Sequence, residues 1–214
     1  MTRDRVQVEA ASRLHLGLLS LGQPGHRQFG GVGLMVDSPG LVLLAKPSAQ
    51  WTFSGAHAER LGQFAARWRQ VFDGETVAGC RLRLLRTPPQ HVGLGTGTQL
   101  GLAVAAALYQ LHERPLPSAE MLARVVGRGR RSGVGTHGFL LGGLIVDRGK
   151  LPGESLGSLA ARVELPSAWR VVQICPLRQS GLSGPAERRA FDRLPAIKLK
   201  VTERLWRQID EQLL

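Results

Sequence analysis

Residues 87–107 read TPPQHVGLGTGTQLGLAVAAA: a proline-marked lead-in, a glycine-rich turn and an apolar helical pattern, joined without a break. Gly93, Gly95 and Gly97 allow positive φ angles and close approach of the backbone to a ligand. The helix that follows offers unpaired N–H groups and the positive end of its dipole. Together these make an anion site suited to a phosphate or pyrophosphate. Thr96 and Thr98 add hydroxyls able to bond a phosphate oxygen or a magnesium ion. The pattern points to a phosphorylated small molecule as substrate.

Working outward, the first half reads as β-rich, with strands over Arg5–Ala11, Leu14–Leu21, Gly33–Val36 and Leu41–Ala45. His57–Phe72 has the spacing of an amphipathic helix, with Leu61, Phe64, Ala65, Trp68 and Phe72 on one face. Cys80, Leu82 and Leu84 alternate with arginines as a half-buried strand that Pro88 and Pro89 stop. Gly97–His112 is a nearly uncharged helix whose stripe Leu100, Ala103, Val104, Ala107 and Leu111 belongs to the core. Ser118 caps a helix over Ala119–Val126. Gly138–Asp147 reads as a strand pair or a glycine-kinked strand, and Trp169–Cys175 as a further buried strand. Pro185–Leu194 and Leu199–Leu214 are helical, the latter with an apolar stripe of Leu205, Ile209, Leu213 and Leu214 that ends without a cap. Strands and helices mix without a βαβ rhythm, which favours α+β.

The 214 residues suffice for one large domain, and the hydrophobic fraction of 43% is ordinary for a globular chain. No apolar run approaches a membrane span, and the N-terminus lacks a signal-peptide core, so the expected location is cytoplasmic. Cys80 and Cys175 stand alone in apolar runs and read as reduced core thiols. The net charge is +12 with a pI near 11.3, almost all of it arginine. Those arginines are dispersed and aromatics make up only 5% of the chain, which argues against nucleic acid and leaves arginine-rich solvated faces or an electropositive site for an anionic substrate.

The glycine turn resembles the phosphate loop of the GHMP small-molecule kinases, Pro-x-x-x-Gly-Leu-Gly-Ser-Ser-Ala, at Pro89, Gly93, Leu94, Gly95 and Thr96. The likeness is closer to the β-ribofuranosylaminobenzene 5'-phosphate synthases, non-kinase members with His-x-Gly-Leu-Gly-Ser-Gly-Thr-Gln. Here His91, Gly93, Leu94, Gly95, Thr96, Gly97, Thr98 and Gln99 follow that loop with Thr for Ser. SRLHLGLL (Ser12–Leu19), FGGVGLMVD (Phe29–Asp37) and RSGVGTHGFLLGGLIVD (Arg131–Asp147) also resemble synthase segments. Where the kinases carry Ser-Gly-x-Asp, with the Asp as base, this chain has Ser132, Gly133, Val134 and Gly135, so the carboxylate is missing.

The resemblance implies an α+β, GHMP-kinase-like fold. A ribosomal-protein-S5-like N-terminal domain would occupy residues 1–165, and an incomplete ferredoxin-like C-terminal domain residues 166–214. It implies condensation of 5-phosphoribosyl 1-pyrophosphate with 4-aminobenzoate or 4-hydroxybenzoate, releasing CO2 and pyrophosphate, early in tetrahydromethanopterin synthesis. Arg13, His15 and Arg131 are then the catalytic candidates. His91, Gly93, Leu94, Gly95, Thr96, Gly97, Thr98, Gln99 and Ser132 are the phosphate-binding candidates. Mg²⁺ is the implied cofactor, Asp37 its weak candidate ligand, and a homodimer the implied assembly. His137 reads as a structural histidine and Asp147 as a turn residue, while Gly30, Gly31 and Gly33 read equally as a bulge or tight turn and as part of the site. The competing expectations are an ATP-dependent GHMP kinase acting on a small alcohol, and a non-catalytic truncated remnant that binds nucleotide or phosphate.

Overall fold

The computed structural model describes residues 3–72, 75, 77–174, 181–182 and 184–213. Six strands form one sheet in the order β3-β4-β2-β5-β6, with β1 paired to β2 off that path. β1 (Val6–Leu18) and β2 (Gly31–Pro47) are long antiparallel partners. Each fuses two of the short strands read from sequence, because bulges at Ala10/Ser12 and His15/Gly17 let the chain bend without leaving the ladder. β2 is the hub. Its first half pairs with β5 (Leu144–Asp147) and its second with β4 (Cys80–Arg86), both antiparallel. β3 (Thr52–Gly55) runs parallel to β4 through a crossover that contains helix α1 (Ala58–Gln70). β6 (Leu159–Val163) closes the other edge. Both edge strands escape the sequence reading, being short and only half-buried.

Helix α2 (Thr96–Leu111) lies against the sheet on β1 and β2, with α1 beside it. Thirteen of its residues are buried, including Leu100, Ala103, Val104, Ala107 and Leu111, which explains a composition with no charge over its whole length. Alanines allow this close approach on several sides, and α1 contributes Leu61, Phe64, Ala65 and Trp68 to the same core. Cys80 is a buried thiol in that core, pushed up to about 12 by burial. Cys175 lies outside the described residues.

Two expectations are corrected. Gly138–Asp147 is not a strand pair: helix α4 (Val134–Leu141) occupies its first part, turns at Gly142 and Gly143 with φ of 63° and 75°, and only then enters β5. The glycines in GVGTHGFLLGG disguise a helix that packs tightly. A Cβ on Gly138 would meet Met35 Sδ, and one on Gly33 would lie 2.5 Å from Val134 Cγ1. The stretch 169–174 is not a buried strand either: Trp169, Val172 and Ile174 are 65%, 84% and 91% exposed and pair with nothing in the sheet. Helix α3 (Ala119–Val125) begins as expected, with the Ser118 hydroxyl accepting from the Met121 amide. Helices α5 (Gly184–Asp192) and α6 (Leu199–Leu213) follow the extended stretch. No helix among the described residues is long and apolar enough to cross a membrane.

Glycine spacing makes a testable contrast. A methyl at Gly33 collides with Val134 and with the Leu14 carbonyl at 2.7 Å, whereas one at Gly17 meets nothing within 4 Å. Gly33→Ala is expected to lower stability by about 1–3 kcal/mol and Gly17→Ala to leave it within about 0.5 kcal/mol, read as urea midpoints.

Candidate functional site

The mouth of α2 is the centre of the site. Gly95, at φ 67°, is the N-cap and supplies no side-chain hydrogen bond, and the first turn has no acidic residue. Among the described residues, none of the amides of Gly93 through Gly97 donates a hydrogen bond. The turn is held by other groups. The Arg13 amide donates to the Leu94 carbonyl at 2.9 Å, and the Thr96 hydroxyl donates to the Pro89 carbonyl at 3.1 Å. Leu94 and Thr96 are buried, so the loop is anchored from beneath while its amide side stays unsatisfied. An unsatisfied helix N-terminus carries about half a positive charge and binds anions. Thr98 lies half-buried one turn in, its methyl facing Gly135, and His91 is exposed at φ 60° on the loop's outer edge.

β1 forms one wall. The Arg13 side chain lies against Gly95, where an added Cβ would be 3.2 Å from Arg13 Nε. Arg13 Nη1 is 3.1 Å from His15 Nδ1. A guanidinium only donates, so Nδ1 accepts and the imidazole proton sits on Nε2. Burial, and then the charge of Arg13, lower His15 to about 4, so it is neutral near pH 7. Burial also lowers the pKa of Arg13, partly offset by the Glu187 carboxylate of α5. Among the described residues Arg13 Nε is buried without a hydrogen-bond partner, while His15 Nε2 is buried beside the Gly17 carbonyl, which opposes the lowering of its pKa. The strand alternation that puts these residues on one face therefore brings them together beside the loop.

The second glycine-rich segment forms the floor. Gln99, fully buried in the first turn of α2, donates to the Gly135 carbonyl at 2.9 Å and joins α2 to α4. Asp147 is fully buried, not an ordinary turn residue. It accepts from the Ser132 hydroxyl at 3.1 Å, from the Gly133 amide and from the Gly149 amide at 2.8 Å. The Ser132 hydroxyl also accepts from the Val134 amide, at the start of α4. His137 is structural, its Nε2 donating to the Gly157 carbonyl at 2.8 Å. Arg131 turns toward α5, where it pairs with Glu187 at 3.1 Å and covers the Phe191 ring at 4.1 Å.

The structure adds two residues that the motifs do not mark. Arg60 of α1 and Arg128, just after α3, bring their guanidinium groups to Gly97. Arg128 stands between Gly127 and Gly129, both left-handed at φ 64° and 77°. That doublet, and the four-residue helical spacing of Arg60 and Phe64, are the available signals. A magnesium cage is a different matter. Asp37 is exposed at the bend of β2, and among the described residues no three His, Cys, Asp or Glu side chains gather. With the Thr96 hydroxyl engaged by Pro89, these residues do not fit a protein-held Mg²⁺.

Residues 59–143 match the GHMP kinases N terminal domain family. A beta-ribofuranosylphenol 5'-phosphate synthase of Methanothermobacter thermautotrophicus is 30% identical over 92% of this chain and 66% of its own length. That of Archaeoglobus fulgidus is 31% identical over 80% of this chain and 57% of its own. The chain thus spans a little under two thirds of these relatives, or less. In fold it resembles a homoserine kinase from Cytophaga hutchinsonii, with TM-score 0.62 and 16% identity over 98% of this chain and 66% of that one. It also resembles a phosphomevalonate kinase from Streptococcus pneumoniae, with TM-score 0.55 and 13% identity over 69% of this chain and 49% of that one.

Two outcomes test the geometry. The folded-state value of His15 lies below its unfolded value of 6.5, so the unfolded chain takes the proton first as pH falls. Stability from this group is full above about pH 6.5 and drains toward pH 4. His15→Gln should flatten that acid limb by on the order of 1–2 kcal/mol, read from urea midpoints at stepped pH. Asp147→Ala strands two buried amide donors and frees the half-buried Ser132 hydroxyl, and should cost about 3 kcal/mol, read the same way at pH 7.

Proposed function

The chain belongs to the GHMP kinase superfamily as a relative of the β-ribofuranosylphenol 5'-phosphate synthases, and on that footing we propose that it acts in a C-glycoside-forming transferase. The substrates are 5-phosphoribosyl 1-pyrophosphate and a benzoate with an electron-donating para group. The observation that carries the reading is the uncapped mouth of α2, with Arg13 against Gly95 and no carboxylate at Gly135. A kinase of this superfamily would need its base at that last position. Here the Gly135 carbonyl accepts from Gln99, and even a Cβ would lie 3.3 Å from Thr98 Cγ2.

The chemistry follows from the groups present. The ring carbon bearing the carboxylate attacks C1 of the ribose, and the C1–O bond to the diphosphate breaks with its electron pair. The amides of Gly93, Leu94 and Gly95 and the Arg13 guanidinium receive the charge that develops on the leaving diphosphate. The ring, now cationic and stabilised by its para oxygen or nitrogen, expels CO2, and the C–CO2 electron pair restores the aromatic system. The products are the ribosyl arene phosphate, CO2 and pyrophosphate. Neutral His15 accepts from Arg13 through Nδ1 and so holds the guanidinium beside the loop without adding charge. Magnesium, where required, would come as the counter-ion of the diphosphate and would help to neutralise its charge. The relatives' name specifies a phenol product, which supports 4-hydroxybenzoate over 4-aminobenzoate as the acceptor. We place this reaction early in tetrahydromethanopterin synthesis, as the motif resemblance implies.

The test is incubation with phosphoribosyl pyrophosphate and carboxyl-labelled 4-hydroxybenzoate or 4-aminobenzoate. Equal release of labelled CO2 and pyrophosphate is expected, faster with the hydroxy acid. Arg13→Lys should lower kcat/KM by about 10²-fold or more. Formation of ADP from ATP and a small alcohol, with no labelled CO2, overturns the reading.

A further inference from the structure

Arg60 and Arg128 meet at Gly97, and among the described residues neither forms an ion pair; the Glu187 carboxylate of α5 only partly offsets the charge of Arg128. A Cβ on Gly97 would sit 2.8 Å from Arg60 Nη2 and 3.4 Å from Arg128 Nη2, so both guanidinium groups occupy the space a side chain at that position would need. Both also lie against the Phe64 ring, 5.9 and 5.8 Å from its centroid, which fixes them on one side of the helix mouth. Arg128 Nη2 makes one long hydrogen bond, 3.4 Å to the Gly97 carbonyl, and its Nε is buried without a partner. Arg60 makes no hydrogen bond and neither residue forms an ion pair among the described residues. Nearby Arg67 differs, because its guanidinium is taken by the Val126 carbonyl.

Two half-buried cations beside the positive end of a helix repel each other and the helix dipole. Burial, with mutual repulsion added for Arg128, lowers the pKa of both. Such an arrangement is costly without an anion and favourable with one. Arg13 flanks the same helix mouth at Gly95, while Arg60 and Arg128 flank it at Gly97. The cations therefore form two groups, one at Gly95 and one at Gly97.

We propose that Arg60 and Arg128, with the first-turn amides of α2, form a second anion subsite that holds the monophosphate end of a substrate carrying two separated phosphate groups. This rests on the functional reading above. The reacting carbon must lie near Arg13 and His15, so the leaving diphosphate takes the Gly95 side and the 5-phosphate takes the Gly97 side. The glycine at position 97, where the kinase loops carry serine, keeps the space open for the two guanidinium groups.

The experiment is isothermal titration of the full chain with phosphoribosyl pyrophosphate, ribose 5-phosphate and inorganic pyrophosphate, each with Mg²⁺. The double variant R60Q/R128Q should bind ribose 5-phosphate and phosphoribosyl pyrophosphate about tenfold or more weakly. Its affinity for pyrophosphate should change by less than about threefold. Gly97→Ser should weaken ribose 5-phosphate in the same direction. Arg69→Gln, a neighbouring arginine of α1 that covers Trp51, serves as the control and should change nothing. The proposal falls if the double variant, folded by circular dichroism, binds ribose 5-phosphate as wild type does, or loses pyrophosphate equally. If wild type itself binds no phosphoribosyl pyrophosphate, the functional reading falls first.

Discussion

The unsatisfied N-terminus of α2 is the constraint on which the rest of the site depends. A helix buried on several sides has its axis fixed by packing, and with it the direction of its free amides. Leu100, Leu102, Leu108 and Leu111 leave α2 no freedom to slide, since each is fully buried against α1 or the sheet. The loop before it is tied to β1 through Arg13 and Leu94, and to its own entry through Thr96 and Pro89. The donors are thus pre-positioned before any ligand arrives, which is what electrostatic stabilisation of a leaving group needs.

A second constraint comes from buried charge. Asp147 is wholly desolvated, and burial raises its pKa despite three hydrogen bonds that oppose the shift. Its function is mechanical. By accepting from Ser132, Gly133 and Gly149 it closes the connection into α4 onto the end of β5. That places Gly135 against Gln99 and hence against the first turn of α2. Gly157 must lack a side chain because a Cβ there would overlap Asp147 Oδ1. The glycines of this segment therefore serve packing around one carboxylate and one helix.

Much of the site is legible in the sequence because its signals are local. A glycine turn running into an uncharged alanine-rich helix has one structural solution, and strand alternation alone puts Arg13 and His15 on the same face of β1. What the sequence hides has a common source. α4 looks like a strand because Gly135 and Gly138 suppress helical propensity, while the reason for them, close contact with Thr98 and with Met35, is tertiary. The segment 169–174 looks like a buried strand because an apolar run says nothing about whether a partner strand exists. Arg60 and Arg128 escape notice because 68 positions part them and only the packing of α1 and α3 around Phe64 unites them.

The helices beyond residue 165 bear on the site as well. Glu187 of α5 pairs with Arg131, and its charge is felt at Arg13 and Arg128, so one carboxylate partly offsets a cluster of cations. α6 docks on the β1–β2 connection through a buried polar set. Gln23 Nε2 donates to Thr202 Oγ1 and to the Ile197 carbonyl, while the Thr202 hydroxyl donates to the Leu19 carbonyl. The Trp206 ring, covered by Arg148, reaches Gly30, where a Cβ would come within 2.9 Å of it. One residue later, a Cβ on Gly31 would press on the Gly17 carbonyl and lie 3.3 Å from His15 Nε2. Gly30 and Gly31 thus face opposite demands, one from α6 and one from the imidazole beside the phosphate loop. Packing of the C-terminal helix is in this way passed to the wall of the site through two adjacent residues that can be nothing but glycine.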